Sequence, residues 1–235
     1  GNLNKCIFVR PNSMIKKYKM KKYIAEFIGT FTMMFCGTGS MTINEVTGGD
    51  VTHVGIGITW GLIVMAMIYA FGEISGAHFN PAVSIAFAYA KKFSWKEVPI
   101  YISFQIAGAF AASLLLMWLF PKSDLLGSTI PSIDLGRAFV IEVLLAFFLM
   151  IVIINISTGS KEVGIIAGVA VGSVILLEAI FAGPVTNASM NPARSLAPNV
   201  VSGNYHGLWI YMIAPVLGML LAVVSCKLVK HENCC

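Results

Sequence analysis

Asn80-Pro81-Ala82-Val83-Ser84-Ile85-Ala86-Phe87-Ala88-Tyr89-Ala90 is an apolar run of awkward length. A helix that crosses a bilayer needs about 20 predominantly apolar residues, so this run is too short to span one. It opens on Asn followed by Pro, and proline fits the first turn of a helix, where its missing N–H would have had no intrahelical partner. The same opening returns at Asn191-Pro192-Ala193-Arg194-Ser195-Leu196-Ala197-Pro198-Asn199-Val200-Val201. Two apolar stretches that start as helices and stop halfway are predicted to be re-entrant half-helices.

The rest of the chain supplies the surroundings such half-helices need. Of 235 residues 57% are hydrophobic and 11% charged, and the mean hydropathy is +0.81. A soluble domain, whose surface must be polar, does not reach that profile. Six stretches have spanning length, roughly 23–44, 51–74, 98–120, 135–157, 163–182 and 208–229. The net charge of +5 comes largely from Lys16, Lys17, Lys19, Lys21 and Lys22, just ahead of the first apolar run. That cluster reads as a juxtamembrane anchor. Elsewhere no basic stripe interleaves with aromatics, so nucleic-acid binding is excluded. The segment before Met20 has no signal-peptide core or cleavage pattern. The five cysteines are odd in number, with Cys36 and Cys226 in apolar segments and Cys6, Cys234 and Cys235 near the termini, and imply no disulfide framework.

Six spans put both termini on one side. Lys91, Lys92, Lys96, Lys161, Lys227 and Lys230 join the N-terminal cluster there, whereas the opposite loops carry only Lys122, Arg137 and Arg194. The positive-inside rule makes the first side cytoplasmic. The chain also repeats: Ala25-Glu26-Phe27-Ile28-Gly29-Thr30-Phe31 in the first span is echoed by Ile141-Glu142-Val143-Leu144-Leu145-Ala146-Phe147 in the fourth. Three spans separate the copies, so the second is inverted and the functional centre falls at the midplane between them. The expected organisation is a basic cytoplasmic segment (1–22), one transmembrane domain (23–230, repeats 23–120 and 135–230) and a short tail (231–235).

The stretch Ile74-Ser75-Gly76-Ala77-His78-Phe79-Asn80-Pro81-Ala82-Val83, together with Met190-Asn191-Pro192-Ala193-Arg194-Ser195, resembles the signature of the major intrinsic protein family, the aquaporins and aquaglyceroporins. The resemblance runs from Lys22 to Lys230. It implies an all-α membrane protein with six transmembrane helices and two re-entrant half-helices in an inverted repeat. It also implies a passive pore for water and small uncharged solutes, a homotetramer with one pore per subunit, and a place in the cell membrane with no cofactor or metal. The physics agrees with it. Half-helices meeting N-terminus to N-terminus put the positive ends of their dipoles at the membrane centre and oppose cations. The side-chain amides of Asn80 and Asn191 can donate to a passing water and hinder proton relay. The bland alternative is that they only cap the half-helices.

Arg194 is a charge in an apolar setting and hence a functional candidate. Aligned with the family it sits in the outer constriction, with Trp60, Ala179 and Ala188 at the other filter positions. Trp-Ala-Ala-Arg is wider than the water-selective pattern and is similar to the nodulin-like intrinsic proteins of plants, which pass glycerol and, in some members, metalloid acids. Ser195 and Asn199 depart from dedicated glycerol facilitators, which carry Asp and a cation there. Tyr211 and Met212 are intermediate as well. Strict water selectivity is therefore kept as the alternative solute range.

Glu26 and Glu142 are symmetric intramembrane carboxylates. They act either as proton relays, as in an inverted-repeat secondary transporter, or as scaffold holding the loops ahead of the half-helices, which is what the resemblance implies. His78 is expected to pin the first of those loops. Glu178, beside Ala179, either faces away from the pore or binds the external loop. His53 and His206, near the external ends, are candidate gates or plain surface imidazoles. Gly29, Gly61, Gly108, Gly168 and Gly218 are placed to allow close helix crossings. The spans hold no nucleophile–base pair, metal cluster or phosphate loop, so nothing marks an enzyme.

Overall fold

The computed structural model describes residues 12–157 and 165–229, with side chains from Met20 onward. Residues 1–11, Lys161, Lys230 and the tail 231–235 lie outside the described residues, as do Cys6, Cys234 and Cys235. Among the described residues there are eight helices and no strand: α1 (Asn12–Thr47), α2 (Thr52–Ser75), α3 (Pro81–Tyr89), α4 (Val98–Leu119), α5 (Leu135–Ser157), α6 (Ala167–Thr186), α7 (Pro192–Ser202) and α8 (Leu208–Val229). The half-helices α3 and α7 occupy the two short apolar runs, each with Asn as N-cap and Pro at the first helical position.

Five helices, α2, α4, α5, α6 and α8, are long and apolar enough to cross a membrane. The sixth span, α1, has the length but a more polar composition. It buries Glu26, Thr30, Thr38, Ser40 and Thr42 against its neighbours instead of exposing apolar side chains all round. Helix α1 also starts before the sequence-based span. No Gly or Pro interrupts the chain from Asn12 to Lys22, so the basic segment continues the helix. At the other end of the chain α6 outruns its expected stop at Ala182 and continues to Thr186 through Pro184. Cys226 is disulfide-bonded, which corrects the expectation drawn from the cysteine count, while Cys36 is free.

The packing follows the repeat. Helix α1 packs on α4 as α5 packs on α8, and α2 packs on α6 between the halves. The closest crossings rest on glycine. A Cβ at Gly108 would meet the Phe27 carbonyl oxygen of α1, and one at Gly218 would meet the Val143 carbonyl oxygen of α5. Phe27 and Val143 each follow the repeated glutamate by one residue, so the two crossings are the same contact made twice. Gly61 and Gly172 face each other across α2 and α6 in the same manner. Meanwhile Leu62, Tyr69, Leu114, Trp118, Phe148 and Phe181 point outward, as the surface of a bundle dissolved in lipid should.

Candidate functional site

Each half-helix is approached by a loop with unusual backbone. In the first, Ala77 and Phe79 have φ of 50° and 49°; in the second, Ala188 and Met190 have φ of 41° and 53°. Non-glycine residues there are strained, and such strain persists only where the surroundings over-determine it. Two buried carboxylates supply that constraint. Glu26 accepts from the Ser75 hydroxyl (2.7 Å), the His78 N–H (3.0 Å) and the Phe79 N–H (2.8 Å). Glu142 accepts from the Thr186 hydroxyl (2.7 Å), the Ser189 N–H (3.0 Å) and the Met190 N–H (3.0 Å). Ser75 and Thr186 each stand five residues before their Asn. A carboxylate without partners in this interior would cost several kcal/mol; three donors each offset that.

Two tyrosines close the same corners, since Tyr101 donates to the Ser75 carbonyl and Tyr211 to the Thr186 carbonyl, at 2.9 and 2.8 Å. His78 is tied to its own half-helix, its Nδ1 lying 3.0 Å from the Ser84 hydroxyl. In the second loop Ser189 and Ser195 pair at 2.6 Å in the equivalent positions. The first half has one extra member. Gln105 of α4 donates to Glu26 at 2.8 Å and to Ser84 at 3.1 Å.

The asparagines both cap and reach across. Asn80 Oδ1 accepts from the Ala82 N–H, and Asn191 Oδ1 accepts from the Ala193 and Arg194 N–H groups. Asn80 Nδ2 donates to the Met190 carbonyl at 2.9 Å, and Asn191 Nδ2 to the Phe79 carbonyl at 3.0 Å. A side-chain amide carries two protons, so each asparagine has a second to offer.

Both asparagines line a cavity of about 140 Å³. Its lining includes the apolar side chains of Met33, Val64, Ile68, Leu149, Val171 and Ile175. The two loops, 76–80 and 188–191, also line it. Among the described residues no hydrogen bond reaches the carbonyls of Ala77, His78, Ala188 or Ser189. Buried carbonyls normally find a partner, and all four of these residues line the cavity.

Trp60, Ala179, Ala188 and Arg194 all line this cavity. Arg194 is 2% exposed; its guanidinium lies 5.0 Å from the Trp60 ring centre, donates from Nη1 to the Gly127 carbonyl at 2.8 Å and approaches Met41 Sδ at 3.1 Å. Gly127 and Met41 gave no signal in the sequence, one because a backbone oxygen is anonymous, the other because Met is ordinary in an apolar helix. Gln105, a lone amide in an apolar span, was visible and passed over.

Glu178 is 2% exposed, does not line the cavity and makes no bond to the external loop. Neither of its oxygens has a hydrogen-bond partner among the described residues. His53 lies on the surface, with Nε2 2.7 Å from the Ile180 carbonyl. That carbonyl would have paired with residue 184, but Pro184 has no N–H. The imidazole takes its place.

Paired half-helices, mirrored carboxylates and a cavity lined by the two half-helix loops define a membrane channel of inverted-repeat type. Residues 13–225 match the family model described as Major intrinsic protein, and the chain belongs to that family. It is 43% identical to nodulin-26 of Glycine max over 225 residues, covering 95% of this chain and 83% of that protein. It is 44% identical to aquaporin NIP1-1 of Zea mays over 215 residues, covering 91% and 76%. The X-ray structure of the aquaglyceroporin from Plasmodium falciparum aligns with a TM-score of 0.78 at 28% identity, over 89% of this chain and 98% of that one.

Proposed function

We propose that the chain is a passive channel for water and small uncharged solutes, glycerol among them, whose constriction is made by Trp60, Ala179, Ala188 and Arg194. The observation that carries this reading is the mixed cavity lining: the two loops with Asn80 and Asn191, four of whose carbonyls accept no hydrogen bond among the described residues, together with apolar side chains. A water or polyol moving along the loops exchanges its hydrogen bonds without losing them. The apolar side chains match the carbon side of a polyol and bind nothing tightly. Alanine at two of the four constriction positions leaves width that a larger residue would take. The named activity of the Plasmodium neighbour, an aquaglyceroporin, supports the same solute range.

The central asparagines hinder proton relay because a water held by both donors is turned away from its neighbours, and the half-helix dipoles with Arg194 oppose cations. Glu26 and Glu142 act as scaffold, as their three loop donors each indicate. The protein performs no catalysis. It sits in the cell membrane as a homotetramer, and its termini are cytoplasmic, an orientation that the lysine distribution supports.

The test is stopped-flow light scattering on proteoliposomes with gradients of water, glycerol, urea and arsenous acid, alongside a pH-sensitive dye. Water and glycerol should equilibrate faster than in empty vesicles, with weak temperature dependence and no proton flux. Exclusion of glycerol would support the strictly water-selective alternative, and saturable, proton-coupled uptake a secondary transporter.

A further inference from the structure

The best-fixed polar contact of Arg194 is to a residue outside both half-helices. Gly127 belongs to the loop between α4 and α5, which the sequence marks only as a connection. Loops are mobile unless tied down, and the direction of a guanidinium follows its acceptors. What holds the Gly127 carbonyl therefore decides how Arg194 sits in the constriction.

Two clamps hold it, one on either side. Before Gly127, the Glu45 carboxylate near the end of α1 accepts from the Ser123 hydroxyl at 2.6 Å, the Asp124 N–H at 2.9 Å and the Leu125 N–H at 3.2 Å. After it, Asn199 of α7 accepts from the Thr129 N–H at 2.9 Å and the Thr129 hydroxyl at 3.2 Å, and donates to the Thr129 carbonyl at 2.8 Å and the Asn204 carbonyl at 2.8 Å. Between the clamps the chain is pressed on α1. Gly127 has φ of 72°, and a Cβ there would lie 2.7 Å from Thr38 Cβ. Leu126, Ser128 and Thr129 are buried. The clamps are anchored where they matter: Glu45 lies one turn beyond Met41, which also touches the guanidinium, and Asn199 lies on the half-helix that carries Arg194 itself.

We propose that Glu45 and Asn199 are positioning residues that set solute selectivity by holding the Gly127 carbonyl against Arg194. The proposal rests on the reading of Arg194 as part of the constriction. Asn199 thereby acquires a role at the position where the sequence departs from glycerol facilitators. Glu45 is the cleaner handle, because it is half-exposed at a helix end and its removal leaves no buried charge.

The experiment measures permeability to water, glycerol and the larger four-carbon polyol erythritol in proteoliposomes containing full-length protein. Glu45→Ala should raise the erythritol-to-water ratio roughly three- to tenfold, the factor that about one net hydrogen bond represents and a fraction of the three bonds the Glu45 carboxylate accepts. Water flux, which reports folded protein, should stay near that of the parent. Glu45→Gln, whose amide oxygen accepts from the loop N–H groups and whose amide nitrogen donates to the Ser123 hydroxyl, should keep the parent ratio. A merely structural role would not separate these variants by solute. In an Arg194→Ala background Glu45→Ala should add nothing, since the clamp acts through that side chain.

Asn199→Ala should loosen selectivity in the same direction. If it fails to fold, Ser123→Ala, removing one partner of Glu45, takes its place and should give a smaller rise. If Arg194→Ala changes the ratio while Glu45→Ala does not, the clamp is wrong and the constriction stands. If Arg194→Ala itself leaves the ratio unchanged, the assignment of the constriction fails and the clamp with it. Equal effects of Glu45→Ala in the parent and Arg194→Ala backgrounds would also overturn the proposal.

Discussion

Replacing Glu142 separates scaffold from proton relay, and the geometry gives the size of the effect. Oε1 accepts from the Thr186 hydroxyl and the Ser189 N–H, and Oε2 from the Met190 N–H. In Glu142→Gln the amide oxygen can keep the first two donors, while the new NH2 faces the Met190 N–H. One buried donor loses its acceptor, which costs about 1–3 kcal/mol. In Glu142→Ala both loop N–H groups are stranded and the cost is about 2–6 kcal/mol, against a net stability of about 5–15 kcal/mol for a typical domain. Thermal unfolding in detergent should therefore show a modest loss for Gln and a severe one for Ala. Water flux per folded molecule should persist in Glu142→Gln. Glu26→Gln should show a similar loss, because with the amide oxygen kept toward Ser75 and His78 the new NH2 faces the Phe79 N–H, which a reversed Gln105 amide does not satisfy. An alanine variant as heat-stable as the parent would refute the scaffold argument, and a proton-driven flux abolished by Glu142→Gln would establish the relay.

Four further outcomes are expected. Ala179→His places an imidazole among Trp60, Ala188 and Arg194, so the glycerol-to-water ratio should fall roughly tenfold or more, a barrier difference of about 1.4 kcal/mol; an unchanged ratio would remove Ala179 from the constriction. Arg194→Ala takes away the outer positive charge while the central half-helix dipoles persist, and potassium conductance across planar bilayers should become measurable. Mercurials should leave water flux intact in the parent, whose free Cys36 does not line the cavity, and should block Ala188→Cys reversibly with thiol, as read by vesicle shrinkage. Gly218→Ala drives a methyl group toward the Val143 carbonyl oxygen and should destabilise by about 1–3 kcal/mol, whereas Gly72→Ala, with open space around it, should not; unfolding midpoints compare them.

Periodicity, length and symmetry were enough to read the architecture from the sequence alone. The number and order of spans, the two half-helices and the inverted repeat all follow from where apolar runs start and stop, because lipid leaves the backbone few alternatives. Glu26 and Glu142 stood out because charge is rare in such a chain, and Asn80 and Asn191 because each precedes a proline that starts a helix too short to span. Tertiary structure decided what those residues touch. The acceptor of Arg194 is a backbone oxygen, which has no letter in the sequence, supplied by a loop 67 residues away. In α6 His53 reaches the carbonyl that Pro184 leaves bare, a pairing across 127 residues that no local pattern encodes. Helix α1 counted in the sequence as one apolar span among six, and only packing showed its polar residues turned inward. Contacts of this kind are set by how rigid helices dock, and docking fixes partners that are distant in the chain and chemically ordinary when read one at a time.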